Sequence, residues 1–167
     1  MADKLSPNAQ KVQNALNQHG LSINVVELPA STRTAVEAAQ AIGCQVDQIV
    51  KSLIFKAKRT NQPVLVLASG ANRVDERKVE ALIHEPLGKA DADYVINVSG
   101  FRIGGVPPIG LVSHLETFID EDLLQYDSVW VAAGTPHAVF KITPANLLKI
   151  TNGRVIDVKV LGREERL

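Results

Sequence analysis

Lys51 stands inside an apolar run, Ile49-Val50-Lys51-Ser52-Leu53-Ile54-Phe55. Strand alternation places Lys51, Leu53 and Phe55 on one face and Val50, Ser52 and Ile54 on the other. A lysine on an otherwise apolar face either sits near a strand end, with its ammonium reaching water, or lies in a cleft where it meets an anion. A second candidate is Gly104-Gly105-Val106-Pro107-Pro108-Ile109-Gly110. Its glycines permit positive φ and close backbone approach, and its prolines stiffen the loop. Such a loop can present fixed N–H donors to a developing oxyanion, or it can be a tight connection and nothing more. A third candidate is Gly134-Thr135-Pro136-His137, whose simplest reading is a hairpin turn between two strands. His137 is then a pH-sensitive ligand contact or an exposed turn residue without a role.

The commoner catalytic arrangements are missing. No G-x-S-x-G elbow surrounds Ser52, Ser69, Ser99, Ser113 or Ser128. There is no H-E-x-x-H pair and no Walker phosphate loop, and His19, His84, His114 and His137 lack metal-ligand spacing. The single cysteine, Cys44, excludes an intramolecular disulfide and a cysteine zinc cluster, and reads as a small packing residue. An enzyme built from these residues must work by positioning and polarisation, with no metal and no cofactor.

The elements that must hold these candidates follow from periodicity. Leu5, Val12, Ala15 and Leu16 recur at helical spacing after Ser6-Pro7, with a stop at His19-Gly20. Ile23 to Leu28 reads as a strand, and Thr34 to Ile42 as a helix closed by Gly43 and capped by Ser31 or Thr32. Ile49 to Phe55 and Val64 to Ala68 form the arms of a β-hairpin. Helices are expected over Asp75 to Ile83 and Ala90 to Val98, then a loop from Gly100 to Gly110; the stretch from Val112 to Phe118 has no firm assignment. Strands over Ser128 to Ala133 and Ala138 to Ile142 flank the third candidate. A helix opened by Thr143-Pro144, a strand over Val155 to Val160 and a fraying charged tail complete the chain. Without strict βαβ alternation, the expected class is α+β, a mixed and largely antiparallel sheet with surrounding helices.

Composition bounds the partners. Lys plus Arg and Asp plus Glu each number 18, so the formal net charge is zero. A non-specific duplex binder needs a basic excess to neutralise phosphates, so nucleic-acid contact should be local and DNA is not an expected partner. No stretch approaches the ~20 apolar residues of a membrane span, and no signal core precedes residue 7, so a soluble cytoplasmic protein of one domain over 1–167 is expected.

In this order, the lysine of Val50-Lys51-Ser52-Leu53, the G-x-x-x-P loop from Gly104 to Pro108 and the Gly134-Thr135-Pro136 element running on to Ile142 resemble the YbaK/ProX superfamily. That superfamily includes the editing domain of bacterial prolyl-tRNA synthetases. The stretches Arg33-Thr34-Ala35-Val36-Glu37-Ala38-Ala39 and Ser69-Gly70-Ala71-Asn72-Arg73-Val74-Asp75 are similar to the ProX branch, and the likeness covers roughly residues 5 to 160. It implies a free-standing hydrolase that deacylates mischarged tRNA, typically tRNA-Pro carrying alanine, cysteine or another small residue.

The resemblance places Lys51 on the backbone or terminal adenosine of the acceptor end, with Gly104 and Gly105 as the other catalytic positions. Pro108, Gly110, Gly134, Thr135 and Pro136 would line the substrate site, and the same role extends to His137, Arg33 and Thr34. The expected partner is the aminoacyl-tRNA acceptor end, with prolyl-tRNA synthetase as a further candidate. Around the second and third loops the chain departs from the cysteine-specific YbaK branch, which leaves the amino acid open. Two other readings stay open: a binding module that holds tRNA or a synthetase without turnover, and a hydrolase of another small ester or thioester.

Overall fold

The computed structural model describes residues 4–161, so the charged tail lies outside the described residues. Helix α1 (Pro7–Gln18) starts with proline in its first turn and buries Ala9, Val12 and Leu16. Strand β1 is only Val26–Glu27, shorter than the run from Ile23 suggests. Helix α2 (Ala35–Ile42) ends at Gly43, whose φ of 85° is the left-handed conformation that favours glycine. Its cap is Thr34, neither Ser31 nor Thr32: the Thr34 hydroxyl accepts from Glu37 N at 3.1 Å and donates to the Glu37 carboxylate at 3.0 Å. Ser31 instead accepts from Arg33 N, too early in the chain to cap the helix.

Strands β2 (Ile49–Ala57) and β3 (Pro63–Ser69) form the expected hairpin. Helix α3 (Glu76–Ile83) is capped by Asp75, and β4 (Leu87–Lys89) returns to pair with β2. Helix α4 (Ala92–Ser99) is capped by Asp91 and precedes the long loop to β5 (Glu116–Asp120). Strands β6 (Val129–Ala132) and β7 (Ala138–Ile142) form the second hairpin. Helix α5 (Pro144–Thr151), capped by Thr143, leads to β8 (Arg154–Ile156). The last strand stops short of Val160; beyond it, Lys159 forms an isolated antiparallel bridge with Val74.

The sheet runs β1-β7-β6-β2-β3-β5-β8, with β4 also against β2. It is mixed: β2–β3, β2–β4, β6–β7 and β1–β7 are antiparallel, while β2–β6, β3–β5 and β5–β8 are parallel. Central β3 is buried on both faces, which is why its sequence is an unbroken apolar run. Leu65 and Leu67 enter the larger core with Leu16, Phe101 and Phe140. Val64, Val66 and Ala68 face the smaller one with Val79 and Phe118. Fully burying each such large apolar side chain is worth about 1.5–3 kcal/mol.

One irregularity positions the site. Strand β3 pairs with β2 along nearly its whole length, but on the opposite side β6 meets only Ile49 and Val50, and β4 only Phe55 to Ala57. From Lys51 to Ile54 the outer edge of β2 has no strand beside it.

Candidate active site

That open edge borders a cavity of roughly 380 Å³. Val50 and Ile54 belong to the larger core, while Ile49 and Phe55 pack on the other side of the sheet. Lys51 and Ser52 therefore leave the strand on opposite faces, yet both line the cavity because it wraps around the uncovered edge. Lys51 is half-buried in mid-strand, not at a strand end.

Its ammonium donates to the main-chain carbonyl of Asn72, in the turn after β3. The Asn72 side-chain amide donates to the carboxylates of Asp120 and Asp122, each at 2.8 Å. Asp120 is 1% exposed and also accepts from the backbone N–H groups of Ser69 (3.0 Å) and Asp122 (2.9 Å). Three N–H donors thus meet this buried carboxylate, giving its oxygens the partners that burial demands. Burial lowers the pKa of Lys51, and the charge of Asp120 opposes that shift.

The roof is built by two glycine loops that touch. Gly134 N donates to Gly105 O at 2.8 Å, and a Cβ on Gly105 would lie 3.0 Å from three backbone atoms of Thr135. Gly104 has φ 94°, and the stem of Arg33 crosses it so closely that a Cβ would sit 2.7 Å from Arg33 Cγ. Arg33 and Ile103 line the first cavity and also a second one of roughly 570 Å³, whose wall includes Arg102, Gly105, Thr135 and Pro136.

The candidate residues thus divide. Lys51, Gly104, Arg33 and Thr34 line the first cavity. Gly105, Gly134, Thr135 and Pro136 join Arg33 around the second. Pro108 and Gly110 are not brought to either; they line a separate depression beside His19 and Thr151, with Gly110 against α1. His137 is exposed and lines neither cavity: its Nδ1 lies 3.1 Å from Ala30 O, and its carbonyl accepts from Leu28 N, fastening the turn to the segment before α2.

Three further residues belong to the site although the sequence reading gives them no site role. Asp120 carries no local mark, and Asn72 stands in the Ser69–Asp75 stretch of the family likeness with nothing there to show its role, since their partnership spans 48 positions of the chain. Trp130, the single tryptophan, lines the first cavity, and the Lys141 ammonium lies 5.8 Å from its ring centroid. A lone aromatic in an apolar strand looks like core until its neighbours are known. Cys44 packs against the Ala38, Ala39 and Ile49 cluster, and burial raises its thiol pKa. Among the described residues, no group of three or more His, Cys, Asp or Glu side chains is placed to hold a metal ion. None of the described helices is long and apolar enough to cross a membrane.

The arrangement offers one braced ammonium in a small, mostly apolar chamber, with Arg33 shared by that chamber and a second cavity that Arg102 also lines. It suits an anionic or acceptor-rich ligand with a small apolar end. Comparison with known proteins narrows this. The family profile described as the aminoacyl-tRNA editing domain matches residues 29–150. A crystal structure described as a candidate trans-editing enzyme for prolyl-tRNA synthetase superposes with a TM-score of 0.89 at 50% identity, covering 95% of this chain and 100% of that one. YwhH of Bacillus subtilis is 29% identical over 150 residues, 89% of this chain and 95% of its own. EbsC of Enterococcus faecalis, described as a candidate Cys-tRNA(Pro)/Cys-tRNA(Cys) deacylase, is 24% identical over 161 residues, 95% of this chain and 98% of its own. This chain belongs to the aminoacyl-tRNA editing domain family.

Proposed function

We propose that the protein is an aminoacyl-tRNA deacylase, acting in trans to hydrolyse the ester of tRNA-Pro carrying a small wrong amino acid such as alanine or cysteine. The observation that carries this reading is the Lys51 ammonium, half-buried and braced by Asn72 where the small cavity opens at the uncovered edge of β2. The aminoacyl group occupies the first cavity, and the terminal adenosine lies toward Trp130, which lines that cavity. The acceptor strand leaves across Arg33 toward the second cavity and Arg102, where guanidinium groups meet phosphates. Such contact is local, in keeping with a net charge of zero.

An aminoacyl ester is already activated, so no protein nucleophile is required. Lys51 supplies N–H donors and positive charge to the carbonyl oxygen or the adjoining phosphate, and the glycine loops fix the roof. The vicinal ribose hydroxyl of the substrate, or the thiol of attached cysteine, can take the role of general base. Support for the proline system comes from the description of the half-identical structure and from that of EbsC.

The test is release of labelled amino acid from tRNA-Pro charged with alanine, cysteine or serine, with Pro-tRNA as control. Loss of one mischarged species with proline spared is the expected result. No release from any of them, with tRNA still bound, would replace the hydrolase by a non-catalytic binding module.

A further inference from the structure

Among the described residues, the buried side-chain oxygen and nitrogen atoms without a hydrogen-bond partner are Thr32 Oγ1 and Ser52 Oγ. Thr32 is 7% exposed, and both residues line the Lys51 cavity. Buried hydroxyls normally find partners, so two orphans on one cavity point to a ligand that completes them. The backbone of Ser52 adds to this. Gly70 N donates to Ile49 O, and Ala57 N donates to Gln62 O, so the odd-numbered residues of β2 direct their N–H and C=O groups at β3. Ser52 directs its own pair at the opposite edge, where neither β6 nor β4 reaches it.

Resting on the aminoacyl-ester reading above, we infer that Thr32 and Ser52 form the subsite for the substrate's α-amino group. The ester carbonyl only accepts hydrogen bonds, and Lys51 only donates them, so these two match. An α-ammonium only donates and needs acceptors. Among the described residues no carboxylate lines the cavity, and the Thr34 hydroxyl is already engaged with Glu37 in both directions. The side-chain acceptors that remain are Thr32 Oγ1 and Ser52 Oγ, with the Ser52 carbonyl as a third. Neither hydroxyl has a hydrogen bond to lose, so a change of χ1 rotamer toward a ligand breaks none.

The test uses two non-hydrolysable adenosines, one bearing an alanyl amide at the 3′ position and one bearing the propionyl amide that lacks the α-amino group. Binding is followed by the fluorescence of Trp130, the single tryptophan. Wild type should bind the alanyl compound about tenfold more tightly, as for hydrogen bonds to a charged group. Thr32→Val should erase most of that preference without changing propionyl binding; Ser52→Ala should reduce it, and Thr32→Ser should retain it. Equal affinities for the two compounds in wild type, or a preference that survives both Thr32→Val and Ser52→Ala, would overturn the subsite and leave the deacylase reading standing. Absence of binding to either compound would overturn the acceptor-end reading and this inference with it.

Discussion

Lys51 and Asp120 are joined through Asn72, which takes the ammonium on its main-chain carbonyl and gives its side-chain amide to the carboxylate. The ammonium is thereby held at the turn after β3, while the Asp120 carboxylate stays in the core, 1% exposed. A direct ion pair would neutralise the ammonium; an interposed amide fixes its position and leaves N–H donors for a ligand.

Removal of Lys51 tests its role against its cost. Burial lowers its pKa, so its charged form is disfavoured in the folded protein. Between the lowered folded value and the ordinary lysine value the unfolded chain binds more protons, and this group makes stability rise with pH across that window. Lys51→Met should therefore leave Tm at neutral pH unchanged or higher, while kcat/KM for mischarged tRNA falls by about 10²-fold or more, as for loss of an oxyanion donor. Calorimetry and a deacylation assay on the same preparation read both.

Asp120→Asn removes the charge that opposes the shift of Lys51 and keeps the shape. The pKa of Lys51 should fall further, and the alkaline limb of the pH–rate profile should move to lower pH. Loss of acceptor capacity toward Ser69 N and Asn72 should cost about 1–3 kcal/mol of stability. An unchanged alkaline limb would separate Asp120 from Lys51.

Gly105→Ala is a steric test of the roof. Its Cβ would meet three Thr135 backbone atoms at 3.0 Å, and backbone cannot swing aside as a side-chain tip can. The expected loss is about 1–3 kcal/mol in denaturant unfolding, with lower turnover. Gly104→Val adds strain at φ 94° and displaces Arg33 from both cavities, so it should raise KM as well.

Arg33→Gln and Arg102→Gln should weaken tRNA binding without lowering Tm, since both side chains are exposed. If each arginine neutralises one phosphate, each substitution should reduce the slope of log affinity against log salt by about 0.7–0.9. Measured slopes equal to wild type would remove the second cavity from the acceptor path.

Thr34→Ala deletes the cap of α2 and should cost ~1 kcal/mol, read as a fall in Tm. Its effect on KM should exceed that of a distant cap such as Thr143→Ala, because α2 forms one wall of the Lys51 cavity.

Much of the fold is legible along the chain. The two hairpins, the proline starts of α1 and α5 and the left-handed stop at Gly43 follow from local chemistry, where a ring, a turn or a missing Cβ sets the backbone within a few positions. Strand β4 has no such mark because three residues carry no periodicity, and β5 is obscured because its alternation merges into the loop before it. Among site residues, Lys51, Gly104, Arg33 and Thr34 meet at one cavity, whereas Pro108 and Gly110 share a motif with Gly104 in sequence and not a wall in space.

The main element types, the anomalous lysine in an apolar strand and the family likeness are legible in the residues alone, because each is written in short-range spacing. What braces that lysine, and which cavity it lines, follows from the folded arrangement of the strands. Strand order places β6 and β4 at the two ends of β2 and leaves the middle bare, and that gap turns two residues of opposite faces into neighbours on one cavity. The brace from Asp120 and the close approach of Gly105 to Thr135 have the same origin. Non-local pairing depends on how faces bury against one another over the whole sheet, and no local window of residues contains that information.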